Sequence, residues 1–157
     1  MFKHGESYLI FENNFDRVFA QFSELLNPKT KGLVVWRVHP QKEDAYIKGK
    51  DIRTKWITNI NTSEAHLAPQ DIEQLSYDLE HFMKDNFGGA VLLLCVEYLI
   101  SFNSFQDVLH LIQTIHDFAA EYGCVFIVQV SKGTLEKQQE NLLRQELIVA
   151  GDANETN

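Results

Sequence analysis

The sequence predicts an α/β fold: a single-domain, three-layer sandwich with a mainly parallel central sheet covered by helices on both faces. Residues 90–96 are an uninterrupted apolar run and residues 124–130 an almost wholly apolar one, each preceded by glycine, as is typical of strands buried on both faces. Between them, residues 105–122 repeat apolar side chains at helical spacing. A strand, a crossover helix and a second strand make a right-handed βαβ unit, which we expect at the centre of the sheet.

The first half of the chain adds strands on either side of a helix. Three further strands are predicted, at residues 7–12, 32–38 and 52–58. The last of these alternates apolar with polar residues, which favours a position near the edge of the sheet. Residues 15–26 repeat apolar residues at spacings of three and four, so we expect a helix with a phenylalanine-rich face on the sheet. A short helix is predicted from Pro40 to about Tyr46, and a polar loop over 59–68.

The second half supplies two more helices. Pro69 is suited to the first turn of a helix that ends near Asn86, with acidic residues in that turn. A final helix is predicted over 135–148. The domain is therefore expected to span residues 1–148, and the polar tail 149–157 to be disordered.

Composition narrows the function classes. The 157 residues include 14 basic and 22 acidic ones, a formal net charge of -8 that disfavours nucleic acid and anionic lipid as partners. The start lacks the pattern of a secretory signal and no apolar run reaches membrane-span length, which predicts a cytoplasmic protein. Both cysteines, Cys95 and Cys124, belong to apolar runs, where we expect buried, reduced thiols.

Several segments, taken in order, resemble the DUF835 family, a mainly archaeal domain of unknown function. They are YLIFE, GLVVWRVHP, KWIT, AP..IEQLS, VEYLI followed by N.F..VL, and L...Q..LL..EL, spread over about residues 8–147. The family looks like a RecA/KaiC-type P-loop ATPase core without its nucleotide loop, often joined to PAS and other sensory modules. The resemblance implies regulatory work in prokaryotic signal transduction, with a sensor or another signalling component as protein partner.

The chain departs from the family where acids would hold a metal. Relatives tend to have D-G-[IL]-E at a Walker B-like strand end, whereas Leu94 stands at the aspartate position here. Relatives often end the last strand in S-V-D-P, and this chain has Gln129, Val130, Ser131 and Lys132. The phosphate-binding pattern G-x-x-x-x-G-K-[ST] is also absent from the sequence. We therefore expect no cofactor, no bound metal and no magnesium-nucleotide chemistry.

Ligands of open parallel sheets bind beyond the carboxyl ends of the strands. The residues predicted to lie there are Arg37, His39, Glu97, Ser131 and Lys132. They could hold a carboxylate or phosphate or perform acid–base chemistry. The alternative, which we favour, is a structural salt bridge between Arg37 and Glu97 that joins two strand ends. The run 131–134 likewise imitates a phosphate loop but also suits an ordinary strand-to-helix turn.

Other catalytic arrangements find less support. A thiolate pair of Cys95 with His39 conflicts with the apolar neighbours of this cysteine. The six histidines are scattered without zinc-ligand spacing. The sequence thus favours a non-catalytic regulatory or interaction domain, a homodimer or a subunit of a signalling complex that uses a sheet edge such as 52–58 or a helix face. The alternative is an enzyme, or a protein that binds a nucleotide or another small ligand, using Arg37, His39, Glu97 and Lys132.

Overall fold

A computed structural model describes residues 2–151 and contains strands alternating with helices. The strands are β1 (Ser7–Phe11), β2 (Gly32–Trp36), β3 (Ile52–Trp56), β4 (Ala90–Leu93), β5 (Val125–Val130) and β6 (Ile148–Val149). The helices are α1 (Phe15–Glu24), α2 (Asp44–Ile47), α3 (Ile72–Asp85), α4 (Val96–Phe102), α5 (Phe105–Tyr122) and α6 (Lys137–Glu146). A 3₁₀ turn, Pro40–Lys42, precedes α2.

All pairings among these strands are parallel, in the order β3-β2-β4-β5-β1-β6. The two apolar runs lie side by side as predicted, since Leu92 of β4 is opposite Ile127 of β5. Leu92 is also opposite Val34 of β2 on its other side, and all three side chains are fully buried. The predicted α/β class, the parallel centre and the three layers are confirmed.

The two faces of the sheet carry separate apolar clusters. On one face, Val18, Phe19 and Phe22 of α1 pack with Tyr8 and Ile10 of β1, and α2 borders the same cluster. On the other face, α3, α4, α5 and α6 contribute to a larger cluster that includes Leu9. Successive residues of β1 thus point to opposite layers, as the pleat of a strand requires.

The direction of the connections changes between two neighbouring strands. The chain leaves β1 into α1 on one face, and it leaves β5 into α6 on the other. Because β1 and β5 are adjacent, their carboxyl ends separate two diverging connections. Such a switch point opens a crevice above the sheet, where ligands of open α/β proteins bind.

Helix α4 was missed from the sequence. The apolar run 90–96 was predicted to be one strand, but β4 ends at Leu93 and the chain turns into a helix at Val96. Leu94 still donates a backbone hydrogen bond to Val35, and Leu99 then donates to Cys95 as the first helical turn closes. Val96 and Leu99, three residues apart, are buried. A short apolar run cannot by itself distinguish a buried strand from a buried helix.

The end of the described chain also differs from the prediction. The final helix is shorter than 135–148: it begins at Lys137, after the backbone of Glu136 donates to the side chain of Gln139, and ends at Glu146. Ile148 and Val149 then pair with Tyr8 and Leu9 as β6, an addition to the sheet where a helix end and a tail were predicted. The predicted disorder of 152–157 falls outside the described residues. None of the described helices is long and apolar enough to span a membrane.

Candidate functional site

A cleft of about 380 Å³ opens above the carboxyl ends of four neighbouring strands, β1, β2, β4 and β5. We call it the strand-end cleft. Its walls are formed by Asn13, Phe15, Trp36, Arg37, Val38, Leu94, Glu97, Gln129 and Ser131. Each strand contributes through the residues at or just beyond its end, because parallel strands bring all their carboxyl ends to one edge. The cleft therefore occupies the switch point of the sheet.

Three of the five residues predicted for a site line this cleft. Arg37, Glu97 and Ser131 do so, whereas His39 and Lys132 are not among its lining residues. His39 instead starts the 3₁₀ turn, where its Nδ1 accepts the backbone N–H of Gln41 at 3.1 Å, and its ring lies 4.6 Å from that of Trp56. The backbone N–H of Lys132 donates to Asn13 Oδ1 at 2.7 Å. The proposed cluster is thus smaller than the sequence indicated.

Arg37 is held at the mouth of the cleft by two contacts. Its guanidinium lies 3.6 Å from the centroid of the Tyr98 ring, a cation–π arrangement. One of its nitrogens also donates to the carbonyl of Ile57 at 3.0 Å. The phenol oxygen of Tyr98 in turn accepts the backbone N–H of Asn59 at 3.0 Å. Arg37 and Tyr98 together attach the loop after β3 to α4.

Glu97 lies in the first turn of α4 and reaches the loop after β5. Its Oε2 accepts the backbone N–H of Ser131 at 2.7 Å and the hydroxyl of Thr134 at 2.9 Å. The favoured salt bridge to Arg37 is absent: no ion pair joins these two side chains, although both line the cleft. Glu97 instead holds the 131–134 turn as an internal anion. The turn is thus an ordinary strand-to-helix connection closed by a carboxylate.

Two polar residues of the cleft were not predicted as site residues from the sequence. Gln129 of β5 is only 4% exposed, and its Nε2 donates to the carbonyl of Glu12 at 2.6 Å. Asn13, in the loop after β1, binds Lys132 as described above. A polar residue inside an otherwise apolar strand was the available signal for Gln129, because buried amides are retained where they have partners. Nothing in the sequence pairs Asn13 with a residue that lies more than a hundred positions later.

Cys95 is buried and is unsuited to act as a nucleophile. It is 3% exposed, and its pKa is raised from 9.0 to about 12, mainly by burial, while Arg37 opposes the rise and Glu97 adds to it. Burial also raises the pKa of Cys124, against the lowering effect of backbone hydrogen bonds from Gly88 and Gly89. Both cysteines are free thiols. The predicted burial of both thiols is confirmed.

Within residues 2–151, no three His, Cys, Asp or Glu side chains are grouped as metal ligands would be. Glu97 is the one acid that lines the strand-end cleft in that range. This carboxylate already accepts two hydrogen bonds, from the backbone of Ser131 and the hydroxyl of Thr134, so it serves as a structural anchor of the turn after β5.

Comparison with protein families gives one match that covers most of the chain. The family described as "Protein of unknown function (DUF835)" matches residues 11–147. The matched range begins at the end of β1 and runs to the residue after α6, so it includes every lining residue of the strand-end cleft. A comparison with curated proteins found no match.

Proposed function

This chain belongs to the DUF835 family, and on that premise we propose that it is a non-catalytic regulatory domain that acts by binding another protein in prokaryotic signal transduction. The main observation behind this proposal is that side chains of the chain itself occupy the backbone amides beside the strand-end cleft. Where a nucleotide-binding protein offers exposed backbone amides to phosphate, this chain covers them with its own side chains. Glu97 binds Ser131 and Thr134, and Asn13 binds Lys132.

The connection from β1 to α1 supports a degenerate RecA/KaiC-type core. In P-loop proteins a strand leads through a glycine-rich loop into a helix whose first amides hold phosphate. Here the strand and helix are present, but the connection is the three residues 12–14 and contains no glycine. The side chain of Asn14 accepts the N–H of Asp16 at 3.0 Å, so part of the helix start is capped from within. A triphosphate has no equivalent cradle at this position.

A partner surface is favoured at the free edge of β3. Gly32 donates to the carbonyl of Asp51 and Ile57 donates to the carbonyl of Trp36, so the odd-numbered residues of this segment face β2. The amides and carbonyls of Ile52 and Thr54 therefore point outward. Trp56 is already used, because its carbonyl accepts the N–H of Leu67. An added strand from a partner would pair with the two outward residues that remain.

The groove next to this edge adds side-chain contacts. It has a volume of about 430 Å³ and lies between β3 and α3, with Arg53, Tyr77 and His81 among its lining residues. Tyr77 is 55% exposed and its ring lies 4.1 Å from that of His81. Exposed aromatics beside an open strand edge are typical of interaction surfaces. The surface is mixed in charge, because Lys55 pairs with Asp78 at 2.7 Å.

A pair of variants at Thr54 tests the proposal. Thr54→Pro removes an outward N–H without removing a bond to β2, whereas Thr54→Val keeps the N–H and serves as the matched control. We expect light scattering and pull-down from native extract to show an assembly with wild type and Thr54→Val that is lost with Thr54→Pro. A monomer with no specific partner, or an assembly indifferent to Thr54→Pro, would contradict this surface.

A nucleotide panel tests the regulatory assignment separately. We expect ATP, GTP and their diphosphates, with magnesium, to leave the melting temperature unchanged. A ligand that binds only the folded state raises the melting temperature. A clear rise in the melting temperature that is lost in Glu97→Gln would contradict the proposed regulatory function and favour a nucleotide-dependent protein.

A further inference from the structure

We propose that the strand-end cleft binds a small zwitterion, an α-amino acid with an apolar side chain. Its ammonium group would lie between Glu97 and Gln129 and its carboxylate against Arg37. This goes beyond the proposed regulatory function, because it assigns a small ligand to the domain irrespective of its protein partner. It rests on two acceptor oxygens that receive no donor from residues 2–151, two separated charges and an apolar wall.

Gln129 is a buried residue whose acceptor oxygen receives no donor from residues 2–151. The carbonyl of Glu12 can only accept, so the nitrogen of the Gln129 amide must face it, which fixes Oε1 on the other side. The same nitrogen also lies 3.3 Å from Ser131 Oγ. Oε1 receives no hydrogen bond from residues 2–151, although Gln129 is almost fully buried and lines the cleft. This oxygen can therefore accept a hydrogen bond from a molecule bound in the cleft or from water.

Glu97 presents a second acceptor beside it. Both of its hydrogen bonds, from Ser131 and Thr134, end on Oε2. Oε1 receives none from the described part of the chain. Glu97 and Gln129 are connected through Ser131, which binds one with its backbone and the other with its hydroxyl. A group with several N–H donors and a positive charge fits this pair, and an ammonium group has both.

Arg37 provides the opposite charge, and it is kept from Glu97. Its stacking on Tyr98 and its bond to Ile57 hold it at one side of the cleft, while Ser131 and Thr134 hold Glu97. Arginine carries five N–H donors, and the contact to Ile57 uses one nitrogen. A cation and an anion that line the same cleft without pairing are complementary to a ligand carrying both charges. A carboxylate is the group that a guanidinium binds best in two-point fashion.

The rest of the cleft suits an apolar side chain. Phe15, Val38 and Leu94 are half-buried residues that line the cleft. Val38 and Leu94 pack against the phenylalanine-rich cluster on the α1 face, and the ring of Phe15 lies 5.5 Å from that of Tyr46, which packs against the same cluster. The volume of about 380 Å³ is near the lower end for ligand pockets, which favours a small molecule. A triphosphate is disfavoured by the carboxylate of Glu97, and a purely apolar ligand would leave both acceptors without donors.

The test uses isothermal titration calorimetry with L-leucine and L-phenylalanine on the full chain. N-acetyl-L-leucine lacks the ammonium group and L-leucinamide lacks the carboxylate, so each removes one of the two contacts. We expect the zwitterions to bind and each analogue to bind at least about tenfold more weakly, as expected when one charge-assisted hydrogen-bonded contact is lost.

Variants assign the contacts. Glu97→Gln keeps a side-chain oxygen that can accept the hydrogen bonds from Ser131 and Thr134 but loses the negative charge. Arg37→Gln loses the positive charge. We expect each to weaken binding by about tenfold or more, while the exposed controls Glu121→Gln and Lys84→Gln leave it unchanged. The side-chain amide resonances of Gln129 should shift during titration. No heat up to about 10 mM amino acid, or binding indifferent to both cleft variants, would overturn the proposal and leave the β3 surface untouched.

Discussion

Arg37 and Glu97 line one cleft with opposite charges and do not pair with each other. Each is used to attach a different loop to α4. Arg37 stacks on Tyr98, whose hydroxyl holds Asn59 in the loop after β3, while Glu97 holds the turn after β5. Because Glu97 and Tyr98 are consecutive, the first turn of α4 connects two loops on opposite sides of the cleft. We expect the cleft to lose its shape when either attachment is removed.

The contact between Arg37 and Tyr98 should be measurable as a coupling free energy. A cycle of Arg37→Ala, Tyr98→Leu and the double variant should give about 0.5–1 kcal/mol in urea unfolding, the range of cation–π pairs at exposed sites, because Arg37 is exposed. As a control, a cycle that combines Arg17→Ala with Tyr98→Leu should give a coupling free energy near zero, because Arg17 is exposed and pairs with Glu12. Equal couplings for the two arginines would show that the stacking contributes nothing.

Replacing Glu97 should destabilise the turn after β5. In Glu97→Ala the N–H of Ser131 loses its acceptor, and we expect a loss of about 1–3 kcal/mol in the free energy of unfolding. Glu97→Gln keeps an acceptor oxygen and should cost less. Hydrogen exchange should accelerate at Ser131 and Thr134 in the alanine variant, while Glu121→Ala leaves it unchanged. If alanine and glutamine variants were equally stable, the carboxylate would not be holding this turn.

Cys95 should remain an uncharged thiol over the physiological pH range. Its folded pKa of about 12 lies above the unfolded value of 9.0, so the folded state binds more protons between these values. The stabilising effect is fully present below about pH 9 and is lost as pH rises toward 12. We expect native protein to resist Ellman's reagent at pH 8, and the unfolding free energy of wild type to fall more steeply above pH 9 than that of Cys95→Val. Rapid labelling of the native thiol would contradict the buried environment.

Much of the fold could be predicted because local sequence patterns determine its strands and helices. The almost wholly apolar sequences of β4 and β5 predict burial on both faces, and the apolar repeat of α5 matches the helical period. Helix α4 could not be predicted in this way. Its buried residues Val96 and Leu99 continue the apolar run of β4, so the sequence pattern does not mark where the strand ends and the helix begins.

The cleft was predicted only in its position. Parallel strands have their carboxyl ends at one edge of the sheet, and this rule predicts that one cleft brings together Arg37, Glu97 and Ser131. Their partners could not be read in advance, because the ring of Tyr98, the carbonyl of Ile57 and the hydroxyl of Thr134 compete with any salt bridge only in three dimensions. His39 was misplaced because it starts a turn toward β3 and packs against Trp56.

The turn that leads from α3 into β4 should tolerate no side chain at Gly89. A methyl group there would lie 2.9 Å from the carbonyl oxygen of Asn86 and 3.1 Å from that of Lys31, and both are backbone atoms that cannot rotate away. Those carbonyls also accept hydrogen bonds from Gly89 and Ala90, so moving them would disturb the entry of β4 beside β2. We expect Gly89→Ala to lower the free energy of unfolding by about 1–3 kcal/mol, as overpacking does in cores.

Gly123 provides the matched control for that substitution. It ends α5 with a φ of +66°, and a methyl group there would meet nothing within 4 Å. Gly123→Ala should therefore cost only the backbone strain of a left-handed residue, about 1 kcal/mol, and should leave hydrogen exchange of β4 unchanged. Gly89→Ala should accelerate exchange at Ala90, whose N–H bonds to Lys31. If the two variants were equally stable with equal exchange at Ala90, the close approach of the Asn86 and Lys31 carbonyls would not limit this turn.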